Sequence, residues 1–359
     1  MNRGAIVKVY GSPYEQGFQQ GKALTETIAK NVKLIKEHFE QANCDYEKYN
    51  LFVQKNVTFL QKNYPEQIEE MGGIADGSGL DYKDILFINI PAYFMMQYFP
   101  PECSMILARK NATADGGTYL IKNRDMRIGL EQVVIERHYS DGLVISEVSG
   151  AGTITYPAIG INNYGLALTT TGFWSKKTHV ELNDVSSRHI FVNIHFPLTE
   201  CKSVAEVVKH VEYTPRMNGL NIIAADKNDA VVIETTRDSM ALAHDDGTGV
   251  IYRTNHYVFE ENVNLNPDKQ EYPSTFMRYE RIGELLSELK NKIRFQDLFR
   301  ILSDHKNEPL NSICRHPNSL SSAHTVSTSL VSLEDGELWT TLDNPCLQLP
   351  YSCVMTKSQ

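Results

Sequence analysis

The chain has 359 residues, of which 42% are hydrophobic and 22% charged, a balance typical of one large or two ordinary globular domains. Its formal net charge is −9, and no cluster of lysine and arginine could follow a phosphate backbone, which argues against nucleic-acid binding. The first residues lack the apolar core of a signal peptide and the most apolar stretch, 84–99, is too short and interrupted to span a membrane, so we expect a cytoplasmic protein.

Helix signals dominate the first hundred residues. Ser12, Pro13 and Glu15 match a capping box with proline at the first helical position. Helical patterns follow over 24–41 and 51–71, and we expect the second to end at the glycine pair 72–73, because glycine favours helix C-termini. Asp81 can cap one further short helix that runs to residue 89.

Strand signals dominate after residue 100. Paired apolar runs predict hairpins around turns at 115–117, 140–142, 162–165, 226–229 and 334–336. Consecutive hairpins imply antiparallel sheets, and helical patterns return around 186–212 and 276–303. The sequence therefore predicts an α+β fold in which two antiparallel sheets lie between layers of helices.

The six cysteines are scattered without a C-x-x-C pair, which argues against a zinc knuckle and against a disulfide framework. Most are expected to be buried as small apolar residues, namely Cys44, Cys201, Cys346 and Cys353. The histidines at 256, 316 and 324 have no ligand partner at helical spacing. We therefore expect neither a metal site nor a cofactor.

Cys103 differs because it follows two prolines and Glu102 and begins a predicted strand. A reactive thiol needs a base, which could be one of the eleven histidines. A second solution is cleavage of the bond before Cys103, which frees an α-amino group with a pKa of about 7.7–8.0 to serve as the base. The prolines supply a constrained linker before the strand. From these residues alone, a structural Cys103 packed inward at the start of an edge strand remains equally open.

Six segments, in order along the chain, carry a family resemblance. They read GSPYEQGFQQG (11–21), GGIADGSGLDYKDILFIN (72–89), ECSMILARKNATADGGTYLIKNRD (102–125), NNYGLAL (162–168), YRTNHYV (252–258) and NSICRHP (311–317). Together they resemble the acyl-coenzyme A:6-aminopenicillanic acid acyltransferases (isopenicillin N acyltransferases), which are self-processing N-terminal nucleophile hydrolases. The resemblance implies a four-layer αββα sandwich.

The resemblance also implies roles for individual residues. Cys103 matches the nucleophile, with self-cleavage between Glu102 and Cys103, and Asp125 matches the carboxylate that orients the new amino group. Asn255 matches the side-chain donor of the oxyanion hole, and a backbone N–H near Thr170 or Thr171 would be the second donor. Without the resemblance, Asp125 could be a turn residue at a strand end.

Two departures from the family pattern concern cleavage and substrate. Glu102 stands where the family commonly has glycine, which would bend most easily at the scissile bond, so the efficiency of cleavage stays open. Penicillin-forming members have a Ser-Arg pair where this chain has Ser322-Ala323. Arg315 is the remaining arginine that could bind substrate.

We therefore expect a helical fragment 1–102 and a nucleophile-bearing fragment 103–359 that stay associated as one domain. The enzyme would cleave or transfer acyl groups at linear amides or thioesters through a Cys103 acyl-enzyme, with a small acyl amide or acyl-coenzyme A as substrate. One alternative is a linear amide hydrolase of the choloylglycine or penicillin V type that uses no acyl-coenzyme A. Another is an unprocessed, non-catalytic relative that acts as a binding scaffold. The sequence leaves a homo-oligomer open.

Overall fold

The computed structural model describes residues 6–90, 102–154, 157–172, 195–214, 219–236, 238–290 and 292–355. The helices are α1 (Pro13–Ala23), α2 (Thr25–Gln41), α3 (Tyr46–Asn63), α4 (Pro65–Ser78), α5 (Tyr82–Asn89), α6 (His195–Glu200), α7 (Val204–Tyr213), α8 (Pro273–Glu288) and α9 (Phe295–Leu302). The strands are β1 (Ile6–Tyr10), β2 (Glu102–Ala108), β3 (Tyr119–Met126), β4 (Gln132–His138), β5 (Val144–Gly150), β6 (Ile159–Asn162), β7 (Ala167–Gly172), β8 (Leu220–Ala225), β9 (Ala230–Thr235), β10 (Met240–His244), β11 (Val250–Arg253), β12 (His324–Ser332), β13 (Glu337–Thr341) and β14 (Tyr351–Met355). Among the described helices, none combines the length and the apolar composition that a bilayer crossing requires.

The strands form two sheets. The first sheet has the order β1-β4-β5-β6-β7-β8-β9-β10, and the second has the order β11-β2-β3-β12-β13-β14. All five predicted hairpins are present as antiparallel pairs. The expectation of purely antiparallel sheets is wrong at one edge, where β1 pairs with β4 in parallel. A parallel pair needs a long crossover, and helices α1 to α5 together with the β2–β3 hairpin lie between these two strands in the chain.

The two sheets pack face to face, and helices cover both outer faces. Met105 on β2 and Val148 on β5 belong to the apolar cluster between the sheets. The outer face of the first sheet meets helices α2 to α5 in one cluster and α7 in another. Ile106 on β2 packs outward against Ile282 and Leu298 of α8 and α9. The predicted four-layer αββα arrangement is confirmed.

The N-terminal helices begin where their capping residues predict. The Ser12 backbone N–H donates to Glu15 Oε2 over 2.7 Å, and the Ser12 hydroxyl accepts from the Glu15 backbone N–H, which completes the predicted capping box. The Asp81 carboxylate accepts from the Lys83 backbone N–H over 2.8 Å at the start of α5. Of the helical pattern predicted over 186–212, residues 186–194 lie outside the described part of the chain.

One predicted helix end is wrong. The pattern over 51–71 forms two helices rather than one, because Tyr64 ends α3 and Pro65 begins α4. Helix α4 then continues through the glycine pair 72–73 and ends only at Gly79, which has a left-handed φ of 69°. Gly79 is thus the C-terminal glycine of this helix.

Glycines inside α1 and α4 let the two helices meet backbone to backbone. A Cβ atom placed on Gly17 would lie 2.1 Å from the Glu70 carbonyl oxygen, and one on Gly21 would lie 2.4 Å from that of Ile74. In α4, a Cβ on Gly73 would lie 2.1 Å from the Tyr14 carbonyl oxygen. Only glycine fits such an approach, so Gly73 serves the packing of two helices and not the end of one.

We expect Gly73→Ala to destabilise the fold by about 1–3 kcal/mol or more, because the new methyl group must push α4 away from α1. Gly72→Ala is the matched control, since a Cβ there has nothing within 4 Å. That substitution should stabilise the helix by about 0.5–1 kcal/mol. Urea denaturation followed by circular dichroism measures both, and equal effects would contradict the backbone contact.

Candidate active site

Cys103 lies near the start of β2, between two neighbouring strands. On one side β3 pairs antiparallel with β2, so that Cys103 lies opposite Arg124 and Glu102 lies opposite Asp125. On the other side β11 pairs with β2 through Arg253 and Met105, and the chain that leaves β11 runs on beside Cys103. The predicted nucleophile is therefore held on both sides by rigid backbone.

Asn255 contacts Cys103 directly, although 152 residues separate them in sequence. The Cys103 backbone N–H donates to Asn255 Oδ1 over 2.7 Å. Asn255 Nδ2 donates to the Gly172 carbonyl at the end of β7 over 2.8 Å, and its backbone N–H donates to Thr275 Oγ1 over 2.8 Å. The structure thus brings together two predicted site residues at the amide that would be cleaved.

Asp125 is buried beside this amide and is only partly hydrogen-bonded. Its Oδ1 accepts from the Thr325 hydroxyl over 2.6 Å, whereas its Oδ2 has no hydrogen-bond partner among the described residues. Burial raises the pKa of the Asp125 carboxyl to about 7, and the positive charge of Arg278 acts in the opposite direction. In the uncleaved chain this carboxyl is therefore short of the donors that would hold it ionised.

Arg278 on α8 is a buried site residue that the sequence analysis missed. Its Nη1 donates to the Cys103 carbonyl over 2.6 Å and to Ser104 Oγ over 3.0 Å, and its Nη2 donates to Asn255 Oδ1 over 2.9 Å. The sequence contains one signal for its burial. Arg278 lies four residues before Ile282, so both residues fall on the same, buried face of α8. A charged side chain at an apolar-face position needs buried partners, and here they belong to the candidate site.

Lys122 is a second buried cation that the sequence analysis missed. It precedes Arg124 by two residues on β3, so both side chains project from the same face of the sheet as Cys103. The Lys122 ammonium donates to the Thr170 carbonyl over 2.5 Å. Burial lowers the pKa of Lys122 to about 8, and the nearby Cys103 and Asp125 act in the opposite direction.

The end of β7 contacts the site through a carbonyl and a hydroxyl group, whereas the predicted group was a backbone N–H. The Thr170 carbonyl accepts from Lys122, and the Thr171 hydroxyl donates to the carbonyl of Thr254, the residue before Asn255. Asn221 Nδ2 donates to the Thr171 hydroxyl over 3.2 Å. A backbone N–H of Thr170 or Thr171 as the second oxyanion donor stays a prediction.

Arg315 reaches the site through Glu102, the residue before the predicted nucleophile. The two side chains are buried and form an ion pair, and the Tyr272 hydroxyl donates to Glu102 Oε1 over 3.3 Å. The Ser274 hydroxyl accepts from Arg315 Nη1 and from Arg278 Nε, each over 3.1 Å. Ser274 therefore links the arginine that holds Glu102 to the arginine that holds Cys103.

The buried Asp125 should make folding stability depend on pH. Its pKa is raised from 3.8 to about 7 in the folded chain, so between these values the folded state keeps a proton that the unfolded state releases. Stability should therefore fall as pH rises from about 4 to about 7, by on the order of 4 kcal/mol, and level off above that.

Urea denaturation from pH 4 to pH 8 measures this effect when Cys103→Ala is compared with Cys103→Ala/Asp125→Asn. The free energy of unfolding of Cys103→Ala minus that of the double variant should fall by on the order of 4 kcal/mol as pH rises from about 4 to about 7, because only the chain with Asp125 loses stability by ionisation. Parallel profiles across this range would contradict the raised pKa.

Comparisons with known proteins give one curated relative and several solved structures. Protein dcd1A from Dictyostelium discoideum is 26% identical over 221 residues, which cover 54% of this chain and 48% of that protein. The chain therefore aligns with about half the length of this relative. A variant of the conjugated bile acid hydrolase from Clostridium perfringens is 18% identical with a TM-score of 0.46 and covers 71% of this chain and 98% of that chain. Penicillin V acylase from Agrobacterium tumefaciens is 15% identical with a TM-score of 0.44 and covers 67% of this chain and 83% of that chain.

A family model gives the decisive match. It describes the acyl-coenzyme A:6-aminopenicillanic acid acyl-transferases and matches residues 112–346, well over half of the chain. The matched region includes Asp125 on β3, Asn255 just after β11 and Arg315 on the loop before β12. The chain belongs to the acyl-coenzyme A:6-aminopenicillanic acid acyl-transferase family.

Proposed function

We propose that this chain is a self-processing thiol enzyme that cleaves its own bond between Glu102 and Cys103 and then cleaves or transfers acyl groups at linear amides or thioesters. The observation that carries the proposal is the hydrogen bond from the Cys103 backbone N–H to Asn255 Oδ1, 2.7 Å long, at the start of β2. It holds the amide nitrogen that would become the base. Family membership supports acyl chemistry at this site.

Self-cleavage would begin with attack of the Cys103 sulfur on the Glu102 carbonyl carbon. The C–N bond then breaks, the nitrogen takes up the thiol proton, and a thioester links Glu102 to the sulfur. Water hydrolyses this thioester to a Glu102 carboxylate and a free Cys103 thiol. Asn255 and Arg278 hold the N–H and the carbonyl of Cys103, so the residue that carries both nucleophile and leaving nitrogen is fixed.

The new α-amino group would find an acceptor in Asp125. Asp125 Oδ2 is buried and without a hydrogen-bond partner among the described residues, directly across the ladder from Glu102. An α-ammonium beside it would lower the pKa of this carboxyl and hold it ionised. The carboxylate would in turn orient the amino group toward the sulfur.

In each turnover the α-amino group would take the thiol proton as the sulfur attacks the substrate carbonyl, and would then give it to the leaving group. The Asn255 amide would stabilise the oxyanion after releasing the Gly172 carbonyl, an interaction worth about 3–4 kcal/mol of barrier in comparable sites. Water completes a hydrolysis of the acyl-enzyme, and an amine completes a transfer. Paired assays with acyl-coenzyme A plus an amine and with an N-acyl amino acid distinguish the two outcomes.

The two fragments would stay associated because their contacts are buried. Helices from 1–102 share an apolar cluster with residues beyond 103, such as Val133 and Ile135 on β4. Glu70 on α4 forms a buried ion pair with Arg137 on β4 over 2.5 Å. Separation would expose that cluster and deprive Glu70 of its cation, whereas Arg137 would keep its second partner, Glu147.

Glu102 has a defined role in this scheme despite replacing the usual glycine. Its carboxylate is anchored by Arg315 and Tyr272, so the side chain fixes the scissile carbonyl from the acyl side. An anchored residue can be held in attack geometry without the flexibility of glycine. The ion pair thereby offsets the stiffer backbone.

The mass of the purified protein tests the nucleophile. We expect two species, 1–102 and 103–359, from the wild-type chain and one intact species from Cys103→Ala. Cys201→Ala is the matched control: Cys201 is also a buried free cysteine, but it lies in the apolar cluster beneath α7, so this variant should still be cleaved. An intact wild-type chain that is fully active would refute the amino-group base, and an intact inactive chain would favour a binding scaffold.

The role of the ion pair is tested by Arg315→Met. This change leaves the buried Glu102 carboxylate without its positively charged partner. We therefore expect cleavage to slow at least about tenfold, which corresponds to a barrier raised by about 1.4 kcal/mol. Arg300→Met is the control, because Arg300 is exposed and pairs with Asp297 rather than with Glu102. The time course of cleavage is followed by mass spectrometry in freshly translated protein, and an unchanged rate would show that the pair has no part in cleavage.

A further inference from the structure

Four side chains with metal-ligand chemistry come together outside the candidate catalytic residues. They are His305 after α9, Cys314 and His316 on the following loop, and Cys346 after β13, and their ligand atoms all lie within 4.8 Å of one another. His305 Nε2 and His316 Nε2 are 3.1 Å apart, and the sulfur atoms of Cys314 and Cys346 are 3.7 Å apart. His316 Nε2 lies 3.3 Å from the Cys346 sulfur and 3.9 Å from the Cys314 sulfur.

Two of these spacings match edges of a tetrahedron around one zinc ion. Bonds of about 2.3 Å to sulfur and about 2.0–2.1 Å to nitrogen place two tetrahedral thiolates about 3.8 Å apart and two imidazoles about 3.3 Å apart. The sulfur–sulfur distance of 3.7 Å and the nitrogen–nitrogen distance of 3.1 Å agree with both values. We propose that His305, Cys314, His316 and Cys346 form a structural Zn²⁺ site of the Cys₂His₂ type.

The surroundings of the cluster fit a metal thiolate. Asn344 Nδ2 directs one N–H toward the Cys314 sulfur over 3.5 Å and another to the Arg315 carbonyl over 2.6 Å. Donors to ligand atoms of this kind orient and stabilise metal ligands. Cys314 is buried, His305 and His316 are half-buried and Cys346 is exposed, so the site is closed on one side and a cation can enter from the other.

The prediction of no metal site rests on spacing along the chain, where His316 has no ligand partner at helical spacing. In the fold, His316 meets a histidine 11 residues away and a cysteine 30 residues away. None of these separations matches a C-x-x-C or H-x-x-x-H pattern, so the grouping exists only in three dimensions. The same four groups without a metal would form either a plain hydrogen-bond network or a disulfide between Cys314 and Cys346.

A metal at this position would act on the candidate active site through the backbone. Cys314 and His316 flank Arg315, whose guanidinium pairs with Glu102. Two bonds to the same ion would therefore fix the chain on both sides of that arginine and tie it to the segment after β13. This consequence depends on the proposed function, whereas the metal site itself does not.

The test is the metal content of the full-length protein, expressed with zinc in the medium and purified without chelators. Elemental analysis should give close to one zinc per chain, and His305→Ala and Cys346→Ser should each lose most of it. His244→Ala is the matched control for the histidine, since His244 is exposed and outside the cluster, and Cys201→Ala is the control for the cysteine. Both controls should keep the zinc.

Replacement of the metal by Co²⁺ gives a readout that needs no variant. A Cys₂His₂ site should give the intense visible bands of tetrahedral Co²⁺ and a thiolate charge-transfer band in the near ultraviolet. Absence of zinc together with absence of these bands would overturn the proposal. So would a Cys314–Cys346 disulfide in protein prepared under reducing conditions, or zinc that stays in both ligand variants. Loss of zinc with normal self-cleavage would refute only the coupling to Arg315.

Discussion

The amide between Glu102 and Cys103 is the group on which the arrangement of the site depends. It is buried between strands, where an unpaired backbone N–H would cost about 1–3 kcal/mol, so the fold must supply a partner. Asn255 supplies it, and the other polar atoms of Asn255 then need partners of their own. Gly172 and Arg278 provide these, and the site grows outward from one buried hydrogen bond.

Charge balance is the second constraint on this site. Arg278, Arg315 and Lys122 are buried cations, and Glu102 and Asp125 are buried acids of the same region. Buried charges are costly unless they are paired and hydrogen-bonded, and the layout satisfies most of them through Ser274, Thr170 and Tyr272. Asp125 Oδ2 is left without a hydrogen-bond partner among the described residues, which is the feature that self-cleavage would complete.

The layers around the site explain how these residues are held. Helix α8 packs on the outer face of the second sheet and carries Arg278 to the head of β2. The loop before β12 carries Arg315 to Glu102, and the proposed zinc site would anchor that loop. On the far face of the first sheet, the glycine contact between α1 and α4 sets the position of the N-terminal helices.

Most helices and strands of this protein follow from local signals in its sequence. Capping residues such as Ser12 and Asp81, the five hairpins and the prominence of Cys103 depend on neighbours within a few residues, and these can be read along the chain. The glycine pair at 72–73 does not end a helix as predicted, because Gly73 packs against the backbone of α1, about sixty residues away in sequence. Three groupings appear only in the folded chain. Arg278 and Lys122 lie near Cys103, and Arg315 pairs with Glu102. The third grouping is His305, Cys314, His316 and Cys346. The physical reason is that such contacts join segments whose spacing in the chain carries no period, so only the packing of sheets and helices brings them within bonding distance.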